Sequence, residues 1–434
     1  MPPRESCDRE ETPPSEREAA LTPGRNRIPD LRERVRSAVD RSDGDLSRRR
    51  MLALAGTGLL GSLAGCSGGG SGGTDTPADT PTETPTDAPT ASPTATGTPT
   101  ETATPTASPT ATQSIEEMIA EYNCPDPDKE ADIVVAKDGS GDFETVGAAI
   151  EEIPHADFEG TRVRIEPGTY KEKLTLPSNK TDVTFVGGGE SPEDTILTYD
   201  DHADKTDENG DPIGTSGSSS FFVWGPDFTA KNLTFRNNAN PVAQAVAIRI
   251  DADRAAFENC RFIGNQDTLY NYGERTRQYF KDCYVEGDVD FIFGSAAAYF
   301  DNCEIYCKGE GYIAAPAQPE DMDYGYVFNN CTVHGDAPAE SVYLGRPWER
   351  FGQAVFLNTS LSDIIRPKGW EPWVEQNHPD KTETAFMAEH ANEGPGYQPN
   401  RRVDWSHQLS ESEAEEYTLE SVFPEWNIRE CLNQ

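Results

Sequence analysis

Five short segments repeat one pattern through the middle of the chain, and they restrict the fold more than any other feature. They are KNLTF (231–235), FENCRF (257–262), FKDCYV (280–285), FDNCEI (300–305) and FNNCTV (328–333). Each places Asn or Asp, then Leu or Cys, then a β-favouring apolar residue two positions later. The Leu or Cys positions, Leu233, Cys260, Cys283, Cys303 and Cys331, are separated by 27, 23, 20 and 28 residues. A period of that length, with its variation left to loops, is one coil of a solenoid. Convincing amphipathic helices are few; Val146 to Ile153 is one, placed to cap the N-terminal end. Short repeated strands without helical crossovers predict an all-β, right-handed parallel β-helix built as a single-stranded solenoid. A sandwich or barrel is the alternative.

Stacking of successive coils would set Cys260, Cys283, Cys303 and Cys331 in an inward-facing ladder, behaving as small hydrophobes. Disulfides between neighbours are the competing arrangement if the chain is exported. Cys303 and Cys307 lack the second pair or spaced histidine that a zinc site requires.

The solenoid occupies only part of the 434 residues. Residues 67–123 are Gly/Ser-rich and then Thr/Pro-rich, a composition that buries too little apolar surface to offset the entropy of ordering; they are expected to form a disordered tether. Ahead of them, SRRRMLALAGTGLLGSLAGC (47–66) reads as an export signal. Arg48 and Arg49 lead into an apolar stretch too short to span a bilayer, closed by small residues. Its last four residues resemble the lipobox of secreted lipoproteins, which implies lipidation of Cys66. The expected organisation is therefore an export signal over 1–66, a tether over 67–123 and the packed domain over 124–434. The expected location is the cell surface or outside, reached by the twin-arginine route, with membrane contact only through the lipid. A monomer is the default for a domain on a long tether.

The formal charge is −39, and removing residues 1–65 hardly changes it, because they carry nearly equal numbers of arginines and acids. Such an excess repels itself in dilute buffer and is tolerated where salt screens it, which points to a salt-loving, halophilic host. It argues against nucleic acid and anionic membranes as partners.

Familiar catalytic motifs fail. Two GxSxG matches, 65–69 and 69–73, fall in the tether without the strand and helix of a nucleophile elbow. No HExxH occurs. The acidic loop Asp200 to Asp211 lacks the glycine and closing glutamate of an EF-hand.

Carboxylates remain. In GDVDFIFG (287–294), strict strand alternation puts Val289, Phe291 and Phe293 on one face and Asp288, Asp290 and Ile292 on the other, so Asp290 could be a solvated residue on a polar face. The interval from Asp267 to Asp290 is 23 residues, the same as from Cys260 to Cys283. Equal intervals give both acids one angular position on adjacent coils, about 4.8 Å apart. Two carboxyls that close do not both ionise readily; one holds a proton and the other is the anion. Arg346 could pair with the anion through two hydrogen bonds, and Gln244 and Gln266 could offer neutral amide donors to an oxyanion.

With these residues in view, the chain resembles the pectinesterase, or pectin methylesterase, family. The resemblance rests on GTYKE (168–172), QAVA (244–247), GNQDTL (264–269), GDVDFIFGSA (287–296) and LGRPW (344–348), in family order, within roughly 133–427. It implies a right-handed β-helix with an external cleft, and neither metal nor cofactor. It also implies Asp290 as nucleophile, Asp267 as acid/base, Gln244 and Gln266 as oxyanion donors and Arg346 as the residue holding Asp290. Tyr270, Phe293, Trp348 and Trp370 are implied to line a site for a polysaccharide, a galacturonan methyl ester. Asn265, Ser295 and an acidic insertion at 201–214 depart from the common family pattern. The rival expectations are a non-catalytic polysaccharide-binding β-helix, a Ca²⁺-dependent lyase on the same fold, and an esterase or thioesterase acting on another substrate.

Overall fold

The computed structural model describes residues 129–156, 159–375 and 378–432. The export signal, Cys66 and the tether therefore lie outside the described residues.

Asn and Asp in the repeat make the coil turn. Asn232, Asn259, Asp282, Asn302, Asn330 and Asn358 all have φ between 50° and 56°. Asn and Asp tolerate this left-handed conformation better than other residues with a Cβ, because their short polar side chains bond locally. The side chains do so from coil to coil: Nδ2 of Asn259 donates to Asn232 (3.0 Å), that of Asn302 to Asp282 (2.5 Å) and that of Asn330 to Asn302 (3.2 Å).

On either side of this turn the chain runs straight and pairs with the same segment of the next coil, always in parallel. Ala255–Glu258 pairs with Arg277–Lys281, which pairs with Ala297–Asp301, then Tyr326–Asn329, then Gln353–Leu357. Eleven strands stack this way from Ile133–Val135 to His407–Gln408. After the turn, Arg261–Ile263 stacks on Thr234–Asn237 and beneath the first half of Tyr284–Gly294. A third stack runs through Leu174–Leu176, Phe221–Val223, Ile248–Ile250 and Leu269–Asn271. The two long strands, Tyr284–Gly294 and Glu304–Pro316, belong to the second and third stacks at once and turn the corner between them. The fold is a right-handed parallel β-helix, as the repeat predicts, and the handedness is the rule for parallel crossovers.

The interior follows from the same repeat. The phenylalanine that opens four of the five segments stacks on its neighbours, and Phe356 of the next coil extends the column: Phe257 on Phe280 (centroids 5.0 Å), Phe280 on Phe300 (4.6 Å), Phe300 on Phe328 (4.6 Å) and Phe328 on Phe356 (4.2 Å). Cys260, Cys283, Cys303 and Cys331 form the inward ladder and are free thiols, not disulfides. Each sulfur reaches a carbonyl of the preceding coil: Cys260 that of Ala230 (3.4 Å), Cys283 that of Phe257 (3.5 Å), Cys303 that of Phe280 (3.4 Å) and Cys331 that of Phe300 (3.5 Å). Thr359 continues the column with its hydroxyl on Phe328.

Helix Val146–Glu152 lies where the sequence predicts it, with Thr145 as N-cap and Val146, Ala149 and Ile150 buried. Its first amides, of Val146 and Gly147, donate to the Glu172 carboxylate (3.0 and 2.9 Å), so the GTYKE motif anchors this cap. At the C-terminal end, Leu419, Val422, Phe423 and Trp426 cover the outer face of the first stack over Tyr279, Tyr299 and Val355. The outer face of the third stack carries a different set of side chains.

Candidate active site

Alternation along the third stack turns Phe221, Val223, Ile248, Ile250, Leu269 and Ile292 into the core. Phe222, Arg249, Tyr270 and Phe293 therefore face outward, in register on successive coils. Tyr270 and Phe293 stack at 4.1 Å and join Val246, Ala315, Trp348 and Trp373 in a small apolar cluster separate from the core. This cluster forms the floor of the candidate site, here called the cleft.

The acids enter the cleft at backbone irregularities. Asp267 (φ 64°) and Asp290 (φ 50°) are both left-handed, the first just ahead of Leu269–Asn271 and the second within Tyr284–Gly294, ahead of the part that joins the third stack. At Asp290 the strict alternation expected of GDVDFIFG is broken. Phe291 and Ile292 both enter the core, and Phe293 faces the cleft together with Asp290 instead of sharing a side with Phe291. The cause is local, since one left-handed residue rotates everything after it, and pairing with the next coil slips on both sides of Val289. The glycines make room for this turn: a Cβ on Gly287 would lie 2.3 Å from that of Phe291, and one on Gly294, at φ 120°, would lie 2.1 Å from the Asn271 carbonyl.

The pairings Leu269↔Ile292 and Tyr270↔Phe293 place Asp267 one coil before Asp290, and the Asp267 amide donates to the Val289 carbonyl (3.1 Å). Both acids are buried, Asp290 at 5 % and Asp267 at 8 % exposure, so neither is a solvated surface carboxylate. Arg346 clasps Asp290 through two bonds, Nε to Oδ1 at 2.9 Å and Nη2 to Oδ2 at 2.6 Å. Its guanidinium also lies 3.8 Å from the Tyr312 ring centre and 3.7 Å from that of Trp373. Aromatic faces attract the cation and fix the plane of its donors.

The environments divide the pair. Burial, then the charge of Asp290, pushes the Asp267 carboxyl well above the usual range, against the opposing pull of Arg346. Burial also raises Asp290, but the hydrogen bonds and charge of Arg346 counter it. The proton is therefore favoured on Asp267 and the charge on Asp290. Gln244 and Gln266 sit on adjacent coils at the same edge, with the Ala245 amide donating to the Gln266 carbonyl (3.2 Å). Neither side-chain amide makes a hydrogen bond among the described residues, which leaves both free to donate to a bound group. No group of three or more His, Cys, Asp or Glu among the described residues is arranged to hold a metal ion.

Residues 132–425 match the family described as Pectinesterase. The chain belongs to the pectinesterase family. It is 41% identical over 298 residues to Pectinesterase 31 of Arabidopsis thaliana, covering 67% of this chain and 92% of that relative. Pectin methylesterase from carrot superposes with a TM-score of 0.62 at 30% identity, over 70% of this chain and 97% of that one. A pectin methylesterase solved in complex with hexasaccharide VII superposes at 0.61 with 30% identity, over 69% and 98%.

Of the positions expected from sequence, Asp267, Asp290 and Arg346 meet, Tyr270, Phe293 and Trp348 lie in the outward cluster, and Gln244 and Gln266 occupy adjacent coils at its edge. Trp370 lies apart from them. It is 1 % exposed inside the solenoid, 5.8 Å from Phe356 between ring centres, and has no surface to offer a ligand. Backbone bonding fixes it there: the Leu344 amide donates to the Gly369 carbonyl and Trp370 bridges to Gly345, which turns its side chain inward. Trp373, three residues on, is the cleft tryptophan that the sequence reading missed. Tyr312, the other face of the Arg346 clamp, was missed as well, although its position in GYIAAPA one coil from Val289 could have identified it.

Proposed function

We propose that this pectinesterase removes methyl groups from methyl-esterified galacturonan, with Asp290 as nucleophile and Asp267 as acid and base. The observation carrying this reading is the pair itself: an arginine-clamped carboxyl one coil from a second buried carboxyl, beside an outward aromatic cluster. An Asp290 oxygen attacks the C6 carbonyl carbon, and the Gln244 and Gln266 amides donate to the resulting oxyanion. Collapse breaks the bond to the methoxy oxygen, which takes the Asp267 proton and leaves as methanol. Asp267, now ionised, accepts a proton from water as its oxygen attacks the acyl carbon. The acid product departs and Asp290 is regenerated. Trp348, Tyr270 and Phe293 offer faces to the apolar C–H surface of sugar rings. No step requires a metal ion or an organic cofactor.

Methanol release from methylated galacturonan tests the reading. Asp267→Asn should lower kcat by about 10²–10⁴-fold, the usual worth of a positioned acid/base. Asp290→Asn should abolish turnover while leaving polysaccharide binding in place. Wild-type protein that binds the polymer without producing methanol would make it a binding protein, and unsaturated products dependent on Ca²⁺ would make it a lyase.

We infer further that the chain reaches the cell surface on a lipid at Cys66 and works as a monomer. The twin arginine, the lipobox-like ending and the long Thr/Pro tract support this.

A further inference from the structure

The large apolar side chains most exposed among the described residues are Trp224, Val242, Tyr272 and Val374. Two of them border the catalytic groups, Val374 following Trp373 and Val242 lying two residues before Gln244. The other two lie elsewhere on the same outer face and are not used by the chemistry.

Register places them. Phe222 pairs with Arg249, and Arg249 with Tyr270, so Phe222 faces outward two coils from the cleft floor, roughly 10 Å along the axis. Trp224 follows Phe222 on the same face at 43 % exposure, and the two rings lie 5.9 Å apart. Tyr272, 40 % exposed, follows Tyr270 in the same way, with ring centres 5.2 Å apart. Arg249 bridges the coils. Two bonds to Asp251 (2.9 and 2.8 Å) hold its guanidinium 4.2 Å from Tyr272 and 5.3 Å from Tyr270. In-register outward positions thus run from Phe293 through Tyr270 and Arg249 to Phe222, with Tyr272 and Trp224 beside them. Lys173 stands over Phe222 at 6.0 Å, its ammonium paired with Asp201 (2.5 Å).

We propose that Phe222, Trp224 and Tyr272 form a distal subsite for a non-reacting sugar ring of the same galacturonan chain. The identity of the polymer rests on the esterase reading above; the existence of a ring-binding platform does not. Exposed aromatic faces such as the Trp224 indole suit the apolar C–H face of a sugar ring. Register with the catalytic floor favours the substrate's own chain over a second protein. The subsite would make the enzyme prefer polymer to short oligomers, because only a long chain reaches both the acids and Trp224.

The test compares kcat/KM for methanol release on methylated galacturonan polymer and on a methylated trimer. Trp224→Ala should lower the polymer-to-trimer ratio roughly three- to tenfold, chiefly through KM on polymer, and Trp224→Phe should restore most of it. Tyr272→Ala should act in the same direction. An unchanged ratio in both alanine variants overturns the proposal. Retardation of the full chain in native gels containing the methylated polymer separates the two readings. Retardation weakened by Trp224→Ala in a protein that yields no methanol would sink the esterase reading and keep the subsite. Normal methanol release with unaltered retardation and ratio would do the reverse.

Discussion

Burial pushes the Asp267 carboxyl well above the usual range, and this has a consequence for stability as well as catalysis. Its folded pKa lies above the unfolded value of about 3.9, so between those two values the folded protein retains a proton that the unfolded chain releases. Stability from this group is full below the unfolded value and declines as pH rises through the raised one. Asp267→Asn, neutral throughout, should therefore have a higher Tm than wild type at neutral pH, and the two should converge in acid; thermal unfolding across pH measures this. Arg346→Lys removes the two-bond clasp on Asp290 and the fit between Tyr312 and Trp373. About 10²-fold loss of kcat is expected, as for small misplacements of a reacting group. The acid limb of the rate profile should also move upward, because burial then raises Asp290 with weaker opposition. The two acids were legible because their 23-residue interval copies that of the cysteines on the same coils. The direction of Phe291 was not, since alternation assumes a uniform strand and Asp290 is left-handed. Trp373 was hidden for a related reason: it also has positive φ (51°), in an irregular segment with no coil-to-coil counterpart from which to count.

At the scale of the element, the turn after each strand of the first stack bears a load that the sequence advertises in a single letter. Asn330 combines a φ of 55° with an amide bond to Asn302. Replacing it with alanine keeps the strained backbone and discards the bond. Asn330→Ala should cost about 2–3 kcal/mol, the left-handed penalty of 1–2 together with a bond worth about 1. The denaturant midpoint should fall with little change in slope. The repeat was readable as coils because Asn, Cys and Phe recur at fixed offsets. Which straight segment joins which stack was not, because Tyr284–Gly294 is one continuous run that serves two of them. The GTYKE motif is a further case, since a segment that helped suggest the family turns out to cap the solenoid through Glu172 and takes no part in the cleft.

At the scale of the whole molecule, charge dominates. A protein at −39 approaching a polyanionic galacturonan is opposed at long range, and salt shortens that range from about 10 Å at 0.1 M to about 3 Å at 1 M. Methanol release should climb between 0.1 M and 3 M NaCl, mainly through KM, and a steady decline over that range would contradict a salt-adapted enzyme. The expectation of this trend comes from composition alone. The column of unpaired thiols has a consequence of its own. Sealed inside intact coils, Cys260, Cys283, Cys303 and Cys331 are safe from oxidants in the surrounding medium. Should a coil spring open, neighbouring sulfurs that had merely packed together would be free to join, and the breach would set like a badly healed fracture. The protein's lifetime in an oxidising medium is then governed by how seldom its wall parts.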